Sequence, residues 1–392
     1  MQSDTTTAIR LMEAFAERTG LGSAAASQRY LWTDAFALLN ALALYRTTGE
    51  RRWRALAEDL IAQVHGVLGR HRPDASRTGW LSGLPEQEGA RHPTRGGLRI
   101  GKPLPERGPG ERYDERLEWD RDGQYWHYLT KWMDALSRAA AILGEPRHQA
   151  HAIELAEAVF PRFLQSSPAG TPVGLTWKMS VDLSRPQVAG ISPHDALDGC
   201  VTFRWLGRGG APTRLAEETA ILCRLAEGRD WATADPLGLG GLLLDSLRLA
   251  LLPDRARRDE RLIAAILAGA DAGLQHFLAE GTLELPPGRR LGFRELGLAI
   301  GLQAVPAIAA TTESSPELAR ASTLHLVRLR AEAGVVRRIV DFWSSPQNQR
   351  ARAWTEHRDI NDVMLASALL EACVETARPG AARTQPRGET PP

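Results

Sequence analysis

The stretch RYLWTDAFALLNALALYRTTGERRWRALAEDLI, residues 29–61, contains two helical patterns of different character. The first, around AFALLNALAL, is apolar on nearly every side, which is typical of a helix that is buried all round. The second, RRWRALAEDLI, has one charged and one apolar face, which is typical of a helix with one side in water. Gly49 stands between them, where a helix end is expected. The stretch therefore predicts a hairpin of one buried helix and one half-exposed helix.

The same alternation of helix types continues along the chain. Apolar helices are predicted in LGGLLLDSLRLALL, GLAIGLQAVPAI and VMLASALLEAC, and amphipathic ones in RHQAHAIELAEAVF and RRDERLIAAILAG. The order of apolar helix end, Gly-Glu turn and amphipathic helix repeats with a period of roughly 50 to 60 residues, and no convincing strand pattern is present. The alternation predicts an all-α fold of about twelve helices in two concentric layers. The predicted inner helices span residues 32–46, 122–143, 195–206, 240–252, 292–310 and 360–377.

This layout resembles the (α/α)6 toroid of the six-hairpin glycosidase superfamily, which also includes N-acylglucosamine 2-epimerase-type isomerases. Residues 29–61 are similar to the aromatic-rich inner helix, Thr-Gly turn and outer helix that recur in those families. The resemblance implies a single toroid domain over residues 1–378, followed by a disordered Pro/Arg-rich tail at 379–392. It does not imply one reaction, because this fold carries hydrolases, lyases, epimerases and proteins without catalytic activity.

Composition and motifs exclude several classes of protein. The formal net charge is only +1, so neither a nucleic-acid partner nor an anionic membrane surface is expected. No run of 18 apolar residues and no apolar leader are present, so a cytoplasmic location is expected. The three scattered cysteines predict neither a disulfide framework nor a cysteine zinc site. Phosphate-binding glycine motifs and paired-histidine zinc motifs are absent, so no cofactor and no metal are expected.

The loops that lead into the inner helices of such a ring lie on one face. The two longest irregular stretches, residues 71–120 and 165–193, both lead into inner helices, and long loops are usually functional. The second passes into DLSRPQVAGISPHDALDG, residues 182–199, which contains three aspartates, an arginine and a histidine. We therefore expect a cleft on this face, lined by residues from several helix starts.

Two sets of residues are candidates for this cleft. The candidate catalytic residues are Asp120, Asp122, His127, His194, Asp195 and His357. The candidate substrate-binding residues are Trp32, Asp34, Trp126, Lys131, Trp177, Lys178, Asp182, Arg185, Asp198, Arg294 and Glu295. Aromatic rings among carboxylates suit a sugar, which has apolar faces to stack and hydroxyls to hydrogen-bond. Purely structural roles are equally open, such as helix capping by Asp34 or a loop-fixing pair of Asp182 with Arg185.

Three functions remain open at this point. A glycoside hydrolase would use Asp122 or Asp120 as the acid and Asp195 as the base, roughly 6.5–9.5 Å apart for inversion. A sugar epimerase or isomerase would use His127, His194 or His357 to move a proton beside a carbonyl. A non-catalytic toroid would bind a glycan or a protein. For the enzymes, the expected partner is a small-molecule or oligosaccharide substrate.

Overall fold

The computed structural model describes residues 2–22, 28–208, 214–313 and 315–378. Its helices are α1 Gln2–Arg18, α2 Leu31–Thr48, α3 Arg51–Leu68, α4 Glu86–Arg91, α5 Glu115–Asp120, α6 Trp126–Leu143, α7 Pro146–Phe163, α8 Pro193–Leu206, α9 Ala216–Ala226, α10 Pro236–Ala250, α11 Arg257–Ala279, α12 Gly292–Gln303, α13 Val305–Thr312, α14 Pro316–Ala331, α15 Gly334–Ser344, α16 Arg352–Thr355, α17 Arg358–Leu369 and α18 Ala372–Glu375. The strands are β1 Gln124–Tyr125, β2 Leu164–Ser166, β3 Pro172–Leu175 and β4 Lys178–Met179. Short 3-10 helices span Thr282–Glu284, Pro287–Arg289 and Asn348–Arg350.

Six helices pack side by side into a closed ring. Helix α2 packs on α6, α6 on α8, α8 on α10, α10 on α12, α12 on α17, and α17 packs back on α2. The first residue of each of these helices lies within six residues of the first residue of a predicted inner helix. The all-α (α/α)6 toroid predicted from the alternation of helix types is therefore confirmed.

The outer layer follows from the amphipathic helices. Helices α3, α7, α9 and α11 each pack on the inner helix that precedes them, and α1 packs on α17, so the two ends of the ring meet. The hairpin that begins with α12 departs from the simple pattern, because α12 stops at Gln303 and α13 begins at Val305, next to Pro306. Proline lacks a backbone N–H and interrupts a helix. Both α14 and α15 then cover this sector.

Burial accounts for the two kinds of helix. Every residue of α2 from Leu31 to Leu44 is buried, as expected for a helix surrounded by other helices. In α3, by contrast, the buried residues recur on one face, at Trp53, Ala57, Leu60 and Val64. That spacing of three to four residues follows the helical period of 3.6. The position of each helix in the ring is thus dictated by its own pattern of apolar residues.

Short strands are present where no strand was predicted. Strand β1 pairs antiparallel with β4, so that Gln124 lies opposite Met179 and Tyr125 lies opposite Lys178. Strand β2 pairs antiparallel with β3. The strands have two to four residues each, too few to show an alternating pattern in the sequence. The β1–β4 pair ties the loop before α8 to the start of α6.

One cysteine pair also departs from expectation. Cys200 in α8 and Cys223 in α9 form a disulfide, although the sequence predicted none. The two residues lie 23 positions apart in the chain and meet because α8 and α9 form one hairpin. Cys373, in contrast, is buried and free. The prediction failed because it relied on close cysteine spacing, whereas the fold brings together two residues on neighbouring helices.

Two helical stretches, Arg257–Ala279 and Gly292–Thr312, are long and apolar enough to cross a membrane by length and composition. The first is α11, and the second is the α12–α13 pair. Half of the apolar window in the first stretch and two thirds of that in the second are buried within the protein. Packing in the ring thus explains their composition, which is weak evidence for a membrane span.

Helices α10 and α12 approach each other most closely through glycines. A Cβ atom added at Gly240 would lie 2.0 Å from the carbonyl oxygen of Gly297, and one added at Gly301 would lie 2.5 Å from the Cα of Gly240. Backbone atoms cannot move away as a flexible side chain can. The two inner helices can therefore touch only because these positions lack side chains.

We expect Gly240→Ala to lower the free energy of unfolding by about 1–3 kcal/mol, because the added methyl group overpacks the α10–α12 contact. Gly241→Ala is the matched control, since a Cβ atom there meets nothing within 4 Å. It should be neutral or stabilising, by up to about 1 kcal/mol, because alanine favours a helix more than glycine does. Chemical denaturation of both variants tests this difference. Equal stability of the two variants would contradict the close contact.

Candidate active site

Helices α6 and α8 place two pairs of polar side chains opposite each other near their N-terminal ends. His127 and Lys131 lie four residues apart on α6, and Asp195 and Asp198 lie three apart on α8, so each pair shares a helix face. His127 Nδ1 is 3.9 Å from Asp195 Oδ1, and Lys131 Nζ is 2.7 Å from Asp198 Oδ1. The structure thus brings together four residues that the sequence predicted for the cleft.

Asp198 is held ionised by its neighbours. It accepts hydrogen bonds from Thr130 Oγ1, from Lys131 Nζ at 2.7 Å and from Arg248 Nη2 of α10 at 2.8 Å. Burial alone would raise the pKa of Asp198, but the two cations and the hydrogen bonds outweigh it and lower the pKa to about 2. Arg248 also donates to Asp245 on its own helix, at 2.5 Å. These contacts cross-link three inner helices.

Asp195, unlike Asp198, is not held in its ionised form by its neighbours. Its Oδ2 is buried and has no hydrogen-bond partner among the described residues. Burial raises the pKa of Asp195 well above its ordinary value, and the negative charge of Asp198 raises it further. The positive charge of Lys131 offsets only part of this increase in pKa. Burial lowers the pKa of His127 to about 4. The facing carboxyl and imidazole groups therefore both favour their uncharged forms.

Aromatic rings continue outward from His127. The imidazole stacks on Tyr125 with ring centroids 5.4 Å apart, and Tyr125 stacks on Trp177 at 5.5 Å. Trp119 meets Trp177 edge-on at 5.2 Å and is half exposed. On the other side of His127, the ring of Trp32 lies 6.0 Å away. The β1–β4 pairing aligns this stack, because Tyr125 lies in β1 and Trp177 directly precedes β4.

Two cavities border this group of residues. A groove of about 580 Å³ shares Trp177 with the aromatic stack and is also lined by Arg107, Tyr113 and residues 186–190. This volume lies in the range of small-molecule sites. Towards the ring centre, a cavity of only about 20 Å³ lies among Lys131, Arg248 and neighbouring side chains. It has room for about one water molecule, so a ligand has no comparable space there.

Trp126 and Asp34 lie close to the site but support its framework. Trp126 is fully buried, and its Nε1 donates to the carbonyl oxygen of Asp195 at 2.8 Å, which fixes the start of α8. Asp34 accepts from the backbone N–H of Tyr30 at 2.9 Å and lies 3.5 Å from Arg29. Burial raises the pKa of Asp34 to about 7, against the opposing effect of Arg29.

Asp122, the sequence-predicted acid, is a structural residue. Its carboxylate is fully buried and accepts from Arg99 Nη1 at 2.5 Å and from the backbone N–H groups of Gly101 and Gly123 at 3.0 Å each. Both oxygens are thus occupied by donors from the protein itself, which leaves neither of them free to act on a substrate. Asp120, the alternative acid, is exposed at the end of α5.

Four further candidates hold loops in place. Lys178 is fully buried and donates to the Glu118 carboxylate at 3.0 Å. Glu295 is likewise buried and forms a bidentate pair with a neighbouring arginine. Asp182 pairs with Arg77 at 3.1 Å and accepts hydrogen bonds from nearby serines. Arg185 donates to the carbonyl oxygen of residue 107 and to a glutamine, so the expected Asp182–Arg185 pair is not formed.

The side chains of the remaining candidates lie around the rim and make other contacts. Arg294 pairs with Asp235 at 2.5 Å, and burial lowers the pKa of His194, whose ring packs 5.7 Å from that of Trp231. His357 is exposed and lies 5.7 Å from the ring of a phenylalanine. Within the described ranges, no group of three or more histidine, cysteine or acidic residues is arranged to hold a metal ion.

Sequence reasoning missed four residues that contribute to the site. Arg248 and Thr130 bind Asp198, and the hydroxyl groups of Tyr30 and Tyr128 lie 2.6 Å apart beside Trp32. Arg248 could have been recognised, because LLLDSLRLALL contains only two charged residues in an otherwise apolar helix. A buried charge of this kind needs a partner, so the sequence of this helix indicates a charged contact near the ring centre.

Comparison with known proteins adds little about chemistry. No family model matches the chain, and no curated protein matches it. The structure is similar to that of cellobiose 2-epimerase from Bacillus thermoamylovorans B4167, with a TM-score of 0.49 and 9% sequence identity over 88% of each chain. At this level of similarity, nothing about the reaction follows.

We expect different effects of replacing the two candidate carboxyl groups by amides. Asp122→Asn leaves the buried Arg99 unpaired and should lower the free energy of unfolding by about 3–5 kcal/mol. Asp195→Asn should leave stability unchanged or raise it at neutral pH. A carboxyl group whose pKa is raised in the folded protein lowers the free energy of unfolding at any pH at which the same group ionises in the unfolded chain, that is, above a pH of about 4. Chemical denaturation at neutral pH measures both values, and a large loss in Asp195→Asn would show that its charge is structural.

Proposed function

We propose that the protein is a sugar isomerase or epimerase that moves a proton beside a carbonyl group. The observation that carries this proposal is the facing pair of His127 and Asp195, 3.9 Å apart and both favoured in their uncharged forms. A neutral imidazole can accept a proton, and a carboxyl with a raised pKa can donate one. Perturbed groups of this kind are typical of functional sites.

The proposed step requires one base and one acid. His127 removes the proton from C2 of an open-chain sugar, and Asp195 donates its proton to the carbonyl oxygen at C1, which gives a neutral enediol. Return of the proton from His127 to C1 gives the ketose, whereas its return to C2 after the enediol has turned its other face towards His127 gives the epimer. In both cases Asp195 recovers its proton from an enediol hydroxyl. Lys131, 2.7 Å from Asp198, adds positive charge that favours developing negative charge on the sugar oxygens.

The surroundings of the pair favour a sugar substrate. Trp177, which is partly exposed and stacks on Tyr125 next to His127, offers a flat apolar face to a ligand, and sugar rings stack on such faces. The groove of about 580 Å³ beside Trp177 gives further room for a ligand.

The geometry gives less support to glycoside hydrolysis. That reaction needs two carboxylates across the sugar, one of them able to donate a proton. Both oxygens of Asp122 are bound by Arg99 and backbone N–H groups, and Asp198 is held ionised by Lys131 and Arg248. Among the acids predicted from the sequence for this role, Asp195 alone is both buried in the site and without a partner for one oxygen. A second suitable carboxylate is therefore lacking among these candidates.

We expect the protein to exchange the C2 hydrogen of a reducing sugar with solvent. Incubation in D2O with a panel of aldoses and reducing disaccharides, followed by proton NMR, would show loss of the C2 signal and the appearance of a ketose or an epimer. His127→Gln should lower the exchange rate by about 10²-fold or more, because positioned acid–base groups contribute that much. Asp195→Asn should lower the rate without lowering the stability of the protein.

His276→Gln is the control for this experiment, because His276 is an exposed histidine on the outer helix α11. It should leave the exchange rate unchanged. Retention of full exchange in His127→Gln would contradict the assigned base. Release of reducing ends from glycosides without C2 exchange would instead support a hydrolase, and saturable sugar binding without any turnover would support a binding toroid.

A further inference from the structure

A second large cavity lies on the outside of the ring, between α7 and the segment that contains α4. Its volume is about 860 Å³, within the usual range of small-molecule sites. We call it the outer cavity. It is lined by residues 81–82, Arg91, His92, Arg95, Gly96, Arg147, Ala150, His151, Glu154, Glu157, Ala158, Pro161, Arg162, Asp182, Leu183 and Arg214. It shares no lining residue with the candidate active site or with the groove beside Trp177.

Arginine dominates the charge of the outer cavity. Arg91 and Arg95 reach it from the segment around α4, and Arg162 reaches it from the end of α7. Within the described part of the chain, none of these three guanidinium groups has a hydrogen-bond or ion-pair partner. Arg147 forms ion pairs only with Glu58 at 3.3 Å and with an adjacent glutamate at 3.9 Å, neither of which lines the cavity.

The acids of the outer cavity are already engaged. Glu154 binds His92 Nδ1 at 2.6 Å and Thr94 Oγ1 at 2.7 Å. Glu157 pairs with Arg214 at 3.1 Å, and Asp182 is bound by serine hydroxyls and by a further arginine. The three unpaired guanidinium groups therefore leave a local excess of positive charge, although the whole chain has a formal net charge of only +1.

An unsatisfied nitrogen lies in the lining of the same cavity. His151 Nδ1 is buried and has no hydrogen-bond partner among the described residues, while Nε2 lies 3.3 Å from the carbonyl oxygen of Arg91. The contact orients the ring between α7 and α4. Buried polar atoms are normally satisfied. Because Nε2 donates to that carbonyl oxygen, Nδ1 of the neutral ring can only accept a hydrogen bond, such as one from a hydroxyl group of an organic ligand.

We propose that the outer cavity binds a small organic phosphate that carries at least two phosphate charges. Guanidinium groups pair with phosphate oxygens in a bidentate manner, and several of them can share one such ligand. A single carboxylate would satisfy only one of the three unpaired arginines. Arg91, Arg95 and Arg162 are exposed side chains around one open concavity and form no extended basic stripe, so a compact anion fits better than a nucleic acid.

Isothermal titration with inorganic pyrophosphate as the probe tests this proposal at physiological ionic strength. We expect saturable binding with one site per chain, and weaker binding of inorganic phosphate because it carries less charge. The double variant Arg95→Ala/Arg162→Ala should weaken pyrophosphate binding by about tenfold or more, since it removes two charge-assisted contacts. The measurement needs no turnover, so it is independent of the proposed reaction.

Arg337→Ala is the matched control, because Arg337 is an exposed arginine on α15 that does not line the outer cavity. It should leave the affinity unchanged, and both variants should keep the melting temperature of the unaltered protein. Absence of saturable binding at millimolar pyrophosphate would overturn the proposal. Equal weakening by the control and the double variant would also overturn it, because the binding would then reflect overall charge and not this cavity.

Discussion

Asp198 lies near the centre of the ring with 8% of its side chain exposed, where an ionised carboxylate is tolerated only if it is paired. Its partners come from two other inner helices, Lys131 and Thr130 from α6 and Arg248 from α10. Removing the carboxylate of Asp198 would take from Lys131 the acid that it binds and would leave Arg248 with Asp245 on its own helix. The packing of three inner helices at the ring centre therefore depends on this carboxylate.

The same pairing determines what the neighbouring carboxylate can do. Asp195 lies one helical turn before Asp198 and faces the same side, but the available cations are already bound to Asp198. With a charged neighbour and no cation of its own, Asp195 favours its protonated form. His127 opposite it is kept neutral by burial. Two aspartates on one helix thus take different roles, one structural and one suited to proton transfer.

The fold was predictable because helix type depends on local patterns, as in α2 and α3. The positions of His127 and Asp195 were predictable too, since both lie at the starts of inner helices. The roles of the loop residues were not, because their partners are distant in sequence: Asp122 binds Arg99, and Lys178 binds Glu118. A charged loop residue looks the same in the sequence whether it binds substrate or fixes the loop. The disulfide and the short strands likewise arise from contacts that the fold creates.

The protonation state of Asp195 tests the central claim most directly. Carbon-13 NMR of protein with labelled aspartate carboxyl groups can follow this residue, with the signal assigned by its loss in Asp195→Asn. We expect the Asp195 signal to remain at its protonated position as the pH rises through about 4, where an ordinary aspartate ionises, and to titrate only well above that pH. Titration of Asp195 at or below the ordinary value would contradict the account, because the residue would then be an anion like Asp198.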